Sequence, residues 1–342
     1  MKVLVTGGMG FIGSNFIRLL LAERPRWAVW NLDLLTYAAN PENLAGIAAP
    51  AEAEGRYRFV WADVADGEEV SRLTEPAPDA IVHFAAESHV DRSIESSAPF
   101  LRTNVLGTEV ILDAARRLEL RALVVSTDEV YGELGPDDPP FTEATPLCPS
   151  SPYSASKAAA DHLAAAYHRT HGTDVVITRC SNNYGPYQFP EKLIPLTIVN
   201  AMEGRKLPVY GRGENVRDWI QVEDHCRGVL AALERGRPGE VYNFGGAAER
   251  RNLDVVRAIV NQVGASEELI EFVTDRPGHD HRYAIDFSKA SSELGWTPAR
   301  TFEEGLAETV EWYRENRGWW ERVRGGAYRK SAEMIGSWRA AD

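Results

Sequence analysis

The sequence predicts an α/β protein: a doubly wound parallel sheet covered by helices on both faces, joined to a smaller, discontinuous α+β domain. Three observations carry this reading. Short β-branched and aliphatic runs alternate with stretches of helical period, a glycine turn separates the first strand from the first helix, and the alternation breaks down from Ser181 onward. At 342 residues the chain exceeds what one hydrophobic core usually organises, so two units are expected. With 44% hydrophobic and 25% charged residues, a disordered or fibrous chain is excluded.

Lys2 to Thr6 reads as the first strand and Phe11 to Leu21 as the first helix. Ala28 to Leu32, Tyr57 to Trp61, Ala80 to Phe84, Ala122 to Ser126 and Val175 to Arg179 are further short buried strands with helical stretches between most of them. Glu240 to Phe244 follows the helical stretch Val222 to Glu234 and is placed in the same sheet. The loop Gly132 to Pro152, with Pro136, Pro139, Pro140, Pro146, Pro149 and Pro152, is longer than an ordinary βα connection and is therefore expected to be functional. These readings give one domain from residues 1–180 plus 219–248 and a second from 181–218 plus 249–342, with the site in the cleft between them.

The net charge of −13 leaves no basic surplus to neutralise nucleic acid or an acidic membrane, so any phosphate must be met by local groups. Cys148, Cys180 and Cys226 are odd in number and lack metal-ligand spacing, and neither a signal peptide nor a long apolar run is visible. A cytoplasmic protein without membrane or nucleic-acid partners is expected. His279-Asp280-His281 offers two metal ligands without a third, so no metal is expected. Trp312, Trp319 and Trp320 sit at helical spacing and read as packing residues.

Gly7, Gly10 and Gly13 form a G-x-x-G-x-x-G turn between strand and helix, as in a Rossmann-type dinucleotide site. There glycine permits a tight turn and close approach of backbone to a pyrophosphate, and the helix N-terminus favours the anion. Asp33 closes the second strand, where a carboxylate accepts hydrogen bonds from an adenosine ribose and repels a 2′-phosphate, favouring NAD over NADP. Asp63, after the third strand, is a candidate partner for the adenine. Tyr153 and Lys157 are four residues apart on a stretch that Pro152 would start, with Ser150 or Ser151 as cap, so both face one way. A nearby ammonium and a positive nicotinamide ring would stabilise a Tyr153 phenolate, making it a base for a sugar hydroxyl. Asp128 and Glu129 follow the fifth strand, at the sheet end where ligands bind, and are a candidate acid and base. Arg217 and Arg276 are forked donors suited to a diphosphate, and Asn182 and Asn252 are neutral donors.

The glycine turn, Asp33, Tyr153 and Lys157 together resemble the extended branch of the short-chain dehydrogenase/reductase superfamily. More specifically, the chain resembles the dTDP-glucose 4,6-dehydratase family. The resemblance rests on KVLVTGGMGFIGS (2–14), HFAAESHVDRSIE (83–95), STDEVYGEL (126–134), SSPYSASKAAADH (150–162), RCSNNYGPYQFPEKLIP (179–195), VRDWIQVEDH (216–225), ERRNLDVV (249–256) and DRPGHDHRYAID (275–286).

This resemblance implies C4 oxidation of a dTDP-hexose, elimination of water across C5 and C6, and hydride return to C6, with tightly bound NAD regenerated each turnover. It implies Asp128 as acid, Glu129 as base, Tyr153 as oxidation base supported by Lys157, and Thr127 near the sugar C4. The implied cofactor positions are Phe11, Ile12, Asp33, Leu34, Leu35, Thr36, Asp63, Val64, Phe84, Ala85, Ala86, Ser88, Thr103 and Asn183. The implied sugar-nucleotide positions are Ser88, Asn182, Lys192, Leu193, Pro208, Val209, Tyr210, Arg217, Asn252, Asp275, Arg276, Pro277, Gly278 and His279. A homodimer through Val105 to Leu118 and the Tyr153 helix is also implied. The competing expectation is another extended sugar-nucleotide enzyme, a UDP-sugar 4,6-dehydratase, a 4-epimerase or a uronate decarboxylase.

Overall fold

The computed structural model describes residues 1–275 and 278–326. Its strands are β1 (Lys2–Thr6), β2 (Ala28–Asp33), β3 (Tyr57–Trp61), β4 (Ala80–His83), β5 (Arg121–Thr127), β6 (Val175–Cys180), β7 (Asn182–Tyr184), β8 (Leu207–Tyr210), β9 (Val216–Gln221), β10 (Val241–Phe244), β11 (Glu249–Arg251) and β12 (Ile270–Val273). Helices α1 (Phe11–Glu23), α2 (Ala48–Ala53), α3 (Gly67–Leu73), α4 (Val90–Glu95), α5 (Ala98–Phe100), α6 (Gly107–Arg117) and α7 (Pro152–His171) precede β6. They are followed by α8 (Leu193–Met202), α9 (Val222–Arg235), α10 (Asn252–Val263), α11 (Ser288–Leu294), α12 (Phe302–Glu315) and α13 (Arg317–Arg324).

Seven strands form one sheet in the order β10-β6-β5-β4-β1-β2-β3, and every neighbouring pair is parallel. The expected strand runs fall in this sheet, each within a residue or so of its observed ends. Strand order reverses between β1 and β4, which opens a crevice at their carboxyl ends. On one face Phe16, Ile17 and Leu20 of α1 pack with Val229, Leu230 and Leu233 of α9 against Val3 and Val5. On the other face Ile111, Ala114 and Ala115 of α6 cover Leu4, Ile81 and Ala122, while Ala164 of α7 lies with Val124, Val175 and Ile177. Each such Val, Leu, Ile or Phe side chain contributes about 1.5–3 kcal/mol by leaving water.

Helix α7 begins where its sequence says it should. Pro152 stands in the first turn, and Ser151 caps the helix in a box completed by Ser154. Gly172 ends it at φ +69°.

Beyond the large sheet, β11-β9-β7 form a three-stranded sheet and β12-β8 a parallel pair. Tyr184, Ile194, Ile198, Ile259, Leu306, Val310, Tyr313, Trp319 and Trp320 share a second core, which is the packing role read for the C-terminal tryptophans. Ala290, Leu294 and Trp296 return to the core under the large sheet, so the late part of the chain contributes to both. The long loop after β5 is tied to that returning segment: Leu134 N donates to Arg282 O at 3.1 Å and Phe141 N to Ala284 O at 2.9 Å. Gly132 at φ +90° is required there, because a Cβ would stand 2.3 Å from the Cys148 carbonyl oxygen.

Candidate active site

A cavity of about 540 Å³ runs along the carboxyl ends of the sheet strands and on between the two cores. Gly7 follows β1, Asp33 and Leu34 end β2, Asp63 follows β3, Phe84 follows β4, Asp128 follows β5 and Asn182 follows β6; all line the cavity.

At one end the backbone itself forms the cradle. A Cβ on Gly7 would stand 2.6 Å from Ala85 N, and one on Gly13 would stand 2.3 Å from Gly7 O. Helix α1 starts at Gly10 with no side-chain cap and no acidic residue in its first turn, unlike α3, α7, α9 and α12, whose N-termini are capped by side chains. Its first amides are thus left for an anion from outside the helix. The Asp33 carboxylate accepts from Met9 N at 2.9 Å and Leu35 N at 2.8 Å, which fixes it at the rim. Asp63 accepts from Ala65 N at 2.9 Å and is paired with Arg102 at 2.7 Å. A glycine cradle, an uncapped helix start and an oriented carboxylate fit an adenine dinucleotide.

A second uncapped helix start, at Lys192 before α8, opens into the same cavity, again with no acid in the first turn. Lys192 Nζ donates to Ser88 O at 3.2 Å. The Oδ1 atoms of Asn182 and Asn252 are buried and accept no hydrogen bond from a described residue. Arg217 lines the cavity but is largely engaged by the protein: Nη1 donates to Val216 O at 2.7 Å and Nη2 to Asp280 O at 2.8 Å, and the guanidinium lies 4.3 Å from the Tyr283 ring centroid.

Between the two ends stand the titratable groups. Asp128 is only 2% exposed; its Oδ1 accepts from the Thr127 hydroxyl at 3.3 Å and its Oδ2 accepts from no described residue. Burial, then the charges of Glu129 and Asp218, raise its pKa well above the ordinary carboxyl value. Thr127 Oγ1 also accepts from Glu129 N at 3.3 Å, which seats the turn. Lys157 is buried, donates to Val125 O at 2.8 Å, and has its pKa lowered by burial against the opposing pull of Asp161. Tyr153 is buried in the same cavity. Burial first and Glu129 second raise its phenol well above 10, while the Thr127 hydroxyl beside it pulls the other way. In this chain alone the phenolate is therefore disfavoured, because a neighbouring negative charge and loss of water outweigh the help available.

The cavity brings together Gly7, Gly10, Phe11, Ile12, Gly13, Asp33, Leu34, Thr36, Asp63, Val64, Phe84, Ala85, Ala86, Ser88, Thr103, Thr127, Asp128, Glu129, Tyr153, Lys157, Asn182, Asn183, Lys192, Leu193, Pro208, Val209, Tyr210, Arg217, Asn252 and His279. Leu35, Asp275 and Gly278 are not among its lining residues. Leu35 instead packs against the core under the large sheet, and Asp275 Oδ1 accepts from His279 Nδ1 at 2.7 Å. Arg276 and Pro277 lie outside the described residues. Sequence reasoning did not single out His89 or Tyr283 as lining residues. Tyr283 donates to Asp280 and lies within the charge influence of Glu129, which is more than 150 residues earlier in the chain, so no local pattern marks it as a cavity residue.

A family model described as GDP-mannose 4,6 dehydratase matches residues 4–309. The dTDP-glucose 4,6-dehydratase of Escherichia coli is 49% identical, over 98% of this chain and 99% of that one. The protein of the same name from Xanthomonas campestris pv. campestris strain B100 is 52% identical, over 98% of both chains. A crystal structure of dTDP-glucose 4,6-dehydratase from Streptomyces venezuelae with NAD bound superposes with a TM-score of 0.90 at 52% identity, covering 94% of this chain and 100% of that one.

Proposed function

The chain belongs to the dTDP-glucose 4,6-dehydratase family, and from that membership we propose how its side chains divide the work. The reaction is an NAD-dependent hydro-lyase reaction that converts dTDP-glucose to dTDP-4-keto-6-deoxyglucose and water. When bound, NAD⁺ accepts a hydride from C4 and later supplies one to C6, so it is unchanged over a turnover.

Once the positive charge of bound NAD⁺ is added to that of Lys157, one helical turn away, Tyr153 takes the proton of the C4 hydroxyl. The C4 ketone acidifies the neighbouring C5–H bond. Glu129 removes that proton while Asp128, kept neutral by burial, protonates the departing C6 hydroxyl. Glu129 then returns a proton to C5. Thr127 holds the sugar near C4 and seats the Glu129 backbone. The supporting observation is a buried carboxyl with an unused oxygen, Asp128 Oδ2, next to a second carboxyl in the cavity that also holds Tyr153 and Lys157. A 4-epimerase needs the tyrosine and lysine but has no use for that carboxyl pair.

The glycine turn with Asp33 and Asp63 holds the dinucleotide, and the α8 start with Asn182, Lys192, Arg217 and Asn252 holds the sugar nucleotide. On this reading residues 1–180 plus 219–248 form the cofactor domain and 181–218 plus 249–342 the substrate domain. We read the protein as a cytoplasmic homodimer in deoxysugar biosynthesis; Leu101, 54% exposed, stands just before the expected dimer segment and Leu106, 44% exposed, within it. Incubating purified protein with dTDP-glucose, UDP-glucose and GDP-mannose tests the reading by mass spectrometry. Loss of one water from dTDP-glucose is expected; an unchanged mass with epimerised sugar contradicts it.

A further inference from the structure

Tyr153, Lys157 and Asp161 are spaced four apart on α7 and share one face. Asp161 forms an ion pair with Arg179 on β6, Nε to Oδ2 at 2.8 Å, with side chains 1% and 6% exposed. Arg179 Nη1 donates to the Tyr131 hydroxyl at 2.9 Å, and its guanidinium lies 4.8 Å from that ring's centroid. Tyr131 closes the single 3-10 turn Asp128–Tyr131 and donates to Asn243 Oδ1 at 2.8 Å, while its ring stacks on Phe141 at 4.9 Å. Asp161, Arg179 and Tyr131 are not among the residues lining the cavity. A buried ion pair adds little net stability over apolar packing, so holding the fold is a poor reason for this one.

We propose that Asp161, Arg179 and Tyr131 are positioning residues for both halves of the reaction, a buried strut that seats Lys157 beside Tyr153 at one end and the Asp128–Glu129 turn at the other. This rests on the assignment of those two pairs made above. At the lysine end the strut is electrostatic. The titratable groups that act on Lys157 are Asp161 on its own helix, Cys180 on β6 and His83 on β4. Burial pushes the Cys180 thiol up to about 12 and the His83 imidazole down to about 3, so neither is charged at neutral pH. Asp161 is then the carboxylate that opposes the lowering of the Lys157 pKa by burial. At the other end the strut is geometric, fixing the turn through one phenol.

Asp161→Asn keeps the shape and an acceptor for Arg179 but deletes the charge. Across one helical turn, about 6 Å at an effective dielectric of about 20, that charge corresponds to roughly one to two pH units. The alkaline limb of C4 oxidation, followed in single turnover by reduced-nicotinamide absorbance, should move down by that amount. The alkaline weakening of NAD affinity, read by tryptophan fluorescence without any turnover, should move with it. Tyr131→Phe should leave both limbs in place and slow water loss at least tenfold, and it carries the test if Asp161→Asn does not fold. Arg179→Lys, which keeps the cation, should restore more of both functions than Arg179→Met. Unmoved limbs in Asp161→Asn, or equal slowing of both halves in Tyr131→Phe, overturn the strut. A wild type that never dehydrates dTDP-glucose contradicts the pair assignment instead, since the affinity limb is still measurable.

Discussion

Asp128→Asn separates acid from base in the elimination. The side chain is 2% exposed, accepts from Thr127 through Oδ1, and has its pKa raised well above the ordinary carboxyl value mainly by burial, so an amide of nearly the same shape replaces it with little repacking. What disappears is the transferable proton. A positioned general acid is worth roughly 10²- to 10⁴-fold, about 2.7–5.4 kcal/mol at 1.36 kcal/mol per decade, and water loss should slow by that amount. Glu129 remains, so substrate recovered after incubation in D₂O should carry deuterium at C5. Stability gives a second readout. A carboxyl whose folded pKa lies above its unfolded value of about 3.9 contributes fully below that value and loses the contribution as pH rises through the folded pKa. Asparagine does not titrate, so the variant's melting temperature should gain on the wild type as pH climbs from about 4 through neutrality. Water loss at the wild-type rate, or a melting difference that shrinks with rising pH, would refute the assignment of Asp128 as a neutral acid.

Glu129→Gln should abolish both C5 exchange and water loss while C4 oxidation persists; loss of nucleotide binding alone would show a different role. Gly13→Ala places a Cβ 2.3 Å from the Gly7 carbonyl oxygen, so NAD affinity measured by fluorescence titration should fall at least about tenfold, or roughly 1.4 kcal/mol. Because burial and Glu129 raise the Tyr153 phenol, ultraviolet difference titration of the NAD-free protein against Tyr153→Phe should show no tyrosinate from this residue below about pH 10.

The sheet was legible because its strands are nearly continuous apolar runs bounded by glycine and polar residues, and a parallel sheet buried on both faces requires that pattern. Gly7, Gly13 and Asp33 were legible because one βαβ unit, β1-α1-β2, contains them all. Tyr153 with Lys157, and Asp128 with Glu129, were legible for the same reason: each pair is local in sequence. What escaped is what folding brings from afar. Arg217 lines the cavity while Nη1 and Nη2 also donate to the backbone carbonyls of residues 280–281, an engagement no local pattern announces. Tyr283 reaches the cavity from a segment more than 120 residues beyond Tyr153. The Asp161–Arg179–Tyr131 strut joins a helix, a strand and a turn that share no local motif. The direction of the Tyr153 shift also escaped, since it depends on how completely water is removed around the phenol.

The central claim is that one cavity carries oxidation at C4 and loss of water from C5 and C6 on the same sugar. dTDP-glucose deuterated at C4 tests it most directly, with the product analysed by mass spectrometry and NMR. The account predicts a product one water lighter that keeps the label, now at C6. Label lost to solvent, label still at C4, or a product of unchanged mass would contradict it.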